Sequence, residues 1–99
     1  LLRREARRAG VDPWLLAALV RQESSWNPTA RSRVGATGLA QVMPSTGAWL
    51  ARSAGVRDFR THLLTVPEVS LRMGARYLGD QMRRYAGRRD LALAAYNAG

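Results

Sequence analysis

The stretch from Pro13 to Met43 constrains this chain more than any other, and its centre is one acidic side chain, Glu23. Read as a helix at about 100° per residue, Pro13 to Ser25 carries an apolar stripe through Leu16, Leu19 and Val20, and Glu23 falls within about 20° of Leu16 on that stripe. Arg21 and Gln22 lie on the opposite side, so the helix is not simply turning polar. A carboxylate on a face built for burial is either paired inside a core or lines a cleft. Burial disfavours its ionised form, and so does the negative end of the helix dipole near Ser25; both raise its pKa. A carboxylic acid that stays protonated near neutral pH is what a general acid must be.

Helix punctuation on either side of this stretch predicts an all-α domain of about five helices. Leu1 to Ala9 reads as a short helix closed by Gly10. Asp12 and Pro13 supply an N-cap and a first-turn proline for the Glu23 helix, which ends near Ser25 because Asn27 precedes Pro28. Thr29 to Leu39 is small and polar, a loop that folds back over the end of that helix. Pro44 opens the next helix and Gly55 closes it, and Arg57 to Val66 is a connection of undefined shape. From Pro67 to Gly87 runs the longest helix, with Leu71, Ala75, Leu78, Met82 and Tyr85 on one face. Gly74 and Gly79 in its interior each cost about 1 kcal/mol relative to Ala, which predicts close approach of another helix there. Asp90 is expected to cap a last helix, Leu91 to Ala98, which is apolar almost all round and therefore expected at the centre. No β-alternation or repeat is present.

Size and composition narrow the chemistry. At 99 residues the chain is one small domain, able to bury roughly 60 to 65 per cent of its unfolded surface. Without cysteine there are no disulfides or thiolate metal sites, and with a single histidine, His62, no metal cluster is expected. No cofactor is implied. All 16 basic residues are Arg and the net charge is +9, which favours an anionic partner: nucleic acid, an acidic membrane or acidic cell-wall polymers. The arginines are scattered in small groups and form no unbroken basic stripe on any helix, so a nucleic-acid groove is not expected. No apolar run is long enough for a membrane span, and the N-terminus carries no signal-peptide core. The chain starts at Leu1 and reads as part of a longer protein.

Sugar-cleaving enzymes usually set two carboxylates about 5 to 9.5 Å apart. Seven acids are available: Glu5, Asp12, Glu23, Asp58, Glu68, Asp80 and Asp90. Asp12 sits about 16 Å up the same helix at 1.5 Å per residue, too far to be a partner. Glu68, Asp80 and Asp90 read as helix-start or surface residues, which leaves only Asp58, in the undefined connection, to reach Glu23. On spacing alone this is a site with one carboxylate.

Three separated runs carry a resemblance. Ala18-Leu-Val-Arg-Gln-Glu-Ser-Ser-Trp-Asn-Pro28, Ser32-Arg-Val-Gly-Ala-Thr-Gly-Leu-Ala-Gln-Val-Met-Pro44 and Ala94-Ala-Tyr-Asn-Ala-Gly99 resemble the soluble lytic transglycosylase (SLT) family, whose domain is lysozyme-like. The resemblance covers Val11 to Gly99. It implies a peptidoglycan enzyme of the bacterial cell envelope that cleaves the β-1,4 bond between N-acetylmuramic acid and N-acetylglucosamine and leaves 1,6-anhydromuramic acid ends. In that family a lone Glu works with help from the substrate's own N-acetyl group, an accepted exception to the two-carboxylate rule; Glu23 takes its place. The resemblance also implies that Tyr96 touches the catalytic carboxylate and that Ser32, Gly38, Gln41 and Met43 line the saccharide groove. Ser24 is expected to cap its helix locally and Asn97 to hold backbone, both in support.

This chain departs from the pattern at Ala40, where the family usually has Met, and at Ser70, where Asn is common. The family domain also continues past the Asn-Ala-Gly motif, so residues 1–99 are expected to form a catalytic domain lacking the family's C-terminal helices. Two alternatives stay open: a hydrolytic muramidase of goose-lysozyme type, with Asp58 as acidic helper, and a non-catalytic peptidoglycan-binding module.

Overall fold

The computed structural model describes residues 1–98; Gly99, the last residue of the third run, lies outside the described residues. The elements in order are α1 (Leu2–Ala9), α2 (Pro13–Ser24), α3 (Pro44–Leu50), a 3₁₀ turn (Thr61–Thr65), α4 (Pro67–Arg84) and α5 (Arg89–Ala98). Among the described residues there is no sheet, only two isolated bridges, Arg31 with Thr37 and Thr37 with Val42, that stitch the loop after α2 to itself.

Local chemistry accounts for the boundaries. The Asp12 side chain accepts from the Trp14 backbone N–H with Pro13 in the first turn, as the Asp-Pro pair predicts. α1 ends at Gly10 in the left-handed conformation, and α2 ends at Ser25 in the same conformation. α3 is shorter than expected. The regular helix ends at Leu50, and turns, one of them closed by Ala54 N–H on the Leu50 carbonyl, carry the chain to Gly55. The connection before α4 resolves into the 3₁₀ turn, where the His62 carbonyl accepts from Thr65 Oγ1 at 2.6 Å and His62 itself is exposed.

The central element is α4, not α5. α4 supplies Ala75 and Leu78 to the core against α1, α2 and α5, Met73 to a second core with Ala40, Val42, Leu50 and Leu64, and Leu71 to a third with Val20 and Leu39. Of α5 only Ala92 and Tyr96 are buried, and Leu91 is 41 % exposed. Apolar character misleads there because most of the α5 apolar residues are alanines, which lose little by facing water. Nor does Asp90 cap α5; it lies within the first turn and accepts from Arg88.

The two interior glycines of α4 mark close approaches. At Gly79 a Cβ would come within 3.0 Å of the Ala9 carbonyl at the end of α1, the helix contact expected. At Gly74 it would overlap the Ala40 methyl and lie 3.2 Å from Tyr96 Oη, so the neighbour is a loop as well as α5. One acid is satisfied by arginine inside the core, and it is Glu5. Its side chain is 1 % exposed and accepts from Arg72 Nε at 3.2 Å and Nη2 at 3.3 Å, with Arg4 Nε 3.6 Å away.

Candidate active site

α2 delivers Glu23 to the rim of a cavity of about 340 Å³ between the C-terminal end of α2, the loop from Ser32 to Met43, the start of α3, and α4 and α5. The wall is made by Glu23, Ser32, Val34, Ala36, Gln41, Val42, Met43, Thr46, Tyr77, Tyr96, Asn97 and Ala98. Glu23 is half-buried and has no salt bridge among the described residues; burial raises its pKa above the ordinary carboxylate value. Of the two readings open at the sequence level, the cleft acid is the one seen. Glu23 is also the only carboxylate on this wall among the described residues. Asp58 lies in an exposed loop beside a separate depression with Arg57 and Phe59. Asp12, Glu68, Asp80 and Asp90 are each engaged by arginines.

Behind the cavity the turn Gly38–Val42 is held from several sides. Gly38 has φ 87°, and a side chain there would run into the Leu64 carbonyl and lie 2.9 Å from Ser70 Oγ, so only glycine fits. Ala40 N–H donates to Ser70 Oγ at 3.1 Å, and the Ala40 carbonyl accepts from Tyr96 Oη at 2.7 Å. Gln41 adopts φ 49°, a conformation that costs a residue with a Cβ about 1 kcal/mol or more. Its Nε2 donates to the Ala30 and Gly38 carbonyls, both at 3.0 Å, which offsets that strain and fixes the side chain against the loop.

These contacts give each expected site residue its place. Tyr96 is buried and close enough for the Glu23 charge to help burial raise its pKa, but its hydroxyl donates to the Ala40 carbonyl rather than to Glu23. With that proton committed, the phenol offers other partners only oxygen lone pairs. Gly38 lies under the groove and does not line it; its role is to let the turn approach α4 and the 3₁₀ turn. Ser24 Oγ donates to the Val20 carbonyl at 3.1 Å, the local use expected of it. Asn97 is exposed on the cavity wall, and among the described residues its side chain makes no hydrogen bond to backbone. Ser32 does two things: its Oγ accepts from Ala36 N–H at 3.0 Å, closing a turn, and it lines the cavity. Gln41 and Met43 line it as well.

The two departures from the family pattern meet each other. Ala40 and Ser70 are both fully buried and share the hydrogen bond just described, with Gly74 beneath the Ala40 methyl. Sequence reasoning missed Tyr77, whose ring packs on Tyr96 with centroids 4.9 Å apart at 53°, and Thr46, in the first turn of α3. For Tyr77 a signal existed, a phenol beside Leu78 but off the α4 stripe; for Thr46 there was none before the tertiary fold.

A family model described as the transglycosylase SLT domain matches residues 1–99. This chain belongs to that family. It is 41 % identical over 83 residues to the soluble lytic murein transglycosylase of Salmonella typhimurium, covering 83 % of this chain and 13 % of that protein. Among solved structures, the SLT domain here superposes with a TM-score of 0.92 and 45 % identity on an inactive mutant of the lytic transglycosylase Slt from Pseudomonas aeruginosa, covering 99 % of this chain and 16 % of that one. A 70-kDa soluble lytic transglycosylase in complex with bulgecin A matches with a TM-score of 0.89 and 33 % identity, over 99 % of this chain and 16 % of that one. The chain thus spans about one sixth or less of the length of these relatives. The helical fold of the described residues, five α-helices without a sheet, is that of these SLT transglycosylases.

Proposed function

We propose that this SLT domain is a peptidoglycan lytic transglycosylase with Glu23 as its single acid and base. The observation that carries the reading is the one carboxylate on the cavity wall among the described residues, without a salt bridge there and with its pKa raised by burial. Protonated Glu23 donates to the glycosidic oxygen as the bond to the muramyl C1 breaks, and the substrate N-acetyl group shares the positive charge that develops there. The Glu23 carboxylate then takes the proton from the muramyl C6 hydroxyl while that oxygen bonds to C1. The 1,6-anhydro ring forms, Glu23 regains its proton, and no water is consumed.

Each wall residue has a place in this scheme. Tyr96, its hydroxyl fixed on the Ala40 carbonyl, ties α5 to the turn behind the cavity and lies near enough to feel the Glu23 charge. Ser32, Gln41 and Met43 line the groove for the saccharide, and Asn97 joins them on the α5 side. A hydrolytic mechanism of goose-lysozyme type would draw on a second acid, and the candidate for it, Asp58, stands at another depression. The relatives are named as murein transglycosylases, soluble or membrane-bound, which supports action at the cell envelope. Among the described residues no helix of this chain is long and apolar enough to cross a membrane.

Comparison of the parent with Glu23→Gln on purified sacculi tests the assignment. Loss of lysis by about 100- to 10,000-fold with binding retained is expected. Equal lysis by both would remove Glu23 from the mechanism, and equal absence of lysis would favour a binding module.

A further inference from the structure

We infer that the outer face formed by α1 and α2 docks on an anionic lipid bilayer and so turns the catalytic cavity away from the membrane. On α2, Trp14, Ala17, Ala18 and Arg21 follow one another at spacings of three and four, the period of a single helix face. Trp14 is 84 % exposed, and its indole borders a depression of about 740 Å³ lined also by Leu1, Leu2, Arg3, Pro13 and Ala17. Leu1 is itself 55 % exposed. Trp14 and Glu23 are nine positions apart on α2, so at about 100° per residue they stand about 180° apart around its axis. The face and the catalytic acid therefore look in opposite directions.

The rim of this face is basic, and its arginines are unspent. Arg4 and Arg8 turn toward Glu5, and Arg4 also reaches Glu68, so their charge is met within the fold. Arg3, Arg7 one turn further along α1, and Arg21 are exposed and make no ion pair among the described residues. The acids of these two helices are engaged elsewhere. Glu5 is 1 % exposed, Asp12 is held by Arg89 Nη2 at 2.9 Å, and Glu23 faces the cavity. What remains is an apolar centre of Trp14 and Leu1 flanked by three guanidinium groups.

An anionic bilayer matches both parts. Tryptophan favours the boundary between headgroups and acyl chains, where its ring is buried and its N–H stays wet, and arginines beside it meet lipid phosphates. A wall polyanion would satisfy the arginines but has no apolar interior to take the indole and Leu1. A second copy of the same face would set like charges against each other. Docking of this kind is peripheral and needs no spanning helix; among the described residues none is long and apolar enough to be one. With this face on the membrane, the Glu23 side of α2 opens outward.

Sedimentation with vesicles tests the assignment, using phosphatidylglycerol mixed with phosphatidylethanolamine and, for comparison, phosphatidylcholine alone. The chain should bind the anionic vesicles about 100-fold more tightly than the neutral ones, each rim arginine contributing about fivefold. Arg3→Gln/Arg7→Gln/Arg21→Gln should remove that preference. Trp14→Ser should weaken binding about tenfold, whereas Trp49→Ser, at an exposed position of α3, should not. All these side chains are exposed, so the variants should melt as the parent does by circular dichroism. In Trp26→Phe/Trp49→Phe, which leaves Trp14 as the only indole, brominated acyl chains should quench the fluorescence. An equal loss in Arg52→Gln/Arg57→Gln/Arg60→Gln, which removes the same charge elsewhere, would reduce the effect to net charge and overturn the assignment. Equal binding to both vesicles, no binding, an unquenched Trp14, or self-association through Trp14 without vesicles would overturn it too.

Discussion

Glu23 unites two requirements that oppose each other, a place on a buried stripe and an ionisable head. Its raised pKa has a defined consequence for stability. Below the ordinary carboxylate pKa the side chain is protonated whether folded or unfolded and contributes no pH dependence. As pH rises above that value the unfolded chain ionises freely, whereas the folded chain must ionise a half-buried group, so stability is lost. Glu23→Gln should therefore melt at the same temperature as the parent in acid and at a higher one near neutral pH, as thermal unfolding followed by circular dichroism would show. Under the proposed mechanism the same shift would set the alkaline limb of activity. Turnover should fall as pH passes through the raised pKa of Glu23, above the usual carboxylate range, since the acid must begin the cycle protonated. Ser70 is a different kind of residue, remote from the cavity wall. Ser70→Ala leaves the Ala40 N–H buried without an acceptor, at a cost of about 1–3 kcal/mol measurable by urea unfolding.

At the scale of elements, the Gly38–Val42 turn decides how the loop meets α4. Gly38→Ala and Gly35→Ala separate its two constraints. Both glycines have positive φ, 87° and 98°, but only Gly38 has neighbours within 4 Å of an added Cβ. Gly35→Ala should cost about 1–2 kcal/mol from backbone conformation, and Gly38→Ala about 2–4 kcal/mol because the clash with the Leu64 carbonyl is added. Denaturant midpoints of the two variants check the ranking. Helix starts were readable from sequence wherever one residue acts on its own neighbours, as with Asp12 capping Pro13–Ser24 or glycine closing α1. Glu23 was readable because period 3.6 places it among leucines. Centrality was not: hydropathy ranks α5 as a core helix, yet its alanines offer little area, while α4 with its Arg and Gly residues is enclosed by every neighbour. Nor could one chain segment reveal that Tyr96 reaches Ala40 or that Ser70 reaches the same residue, since 56 and 30 positions separate them and only packing brings them together.

Over the whole molecule the charge of +9 and the lone cavity acid act at different ranges. Much of the arginine is spent internally, on Glu5, Glu68, Asp80, Asp12 and Asp90, and the surplus gives a positive field at the surface. Retention on anionic wall material should weaken steadily as salt rises from about 10 mM to 150 mM, because the screening length shrinks from about 30 Å to about 8 Å. Sedimentation with sacculi at a series of salt concentrations measures this. The chemistry proposed at Glu23, being local, should keep its product unchanged across the same range. That product is the most direct witness to a single carboxylate working as acid and then base without water. Mass spectrometry of the muropeptides released by this chain should find 1,6-anhydromuramic acid ends, one water lighter than reducing ends and absent after Glu23→Gln. Reducing ends in their place would contradict the account.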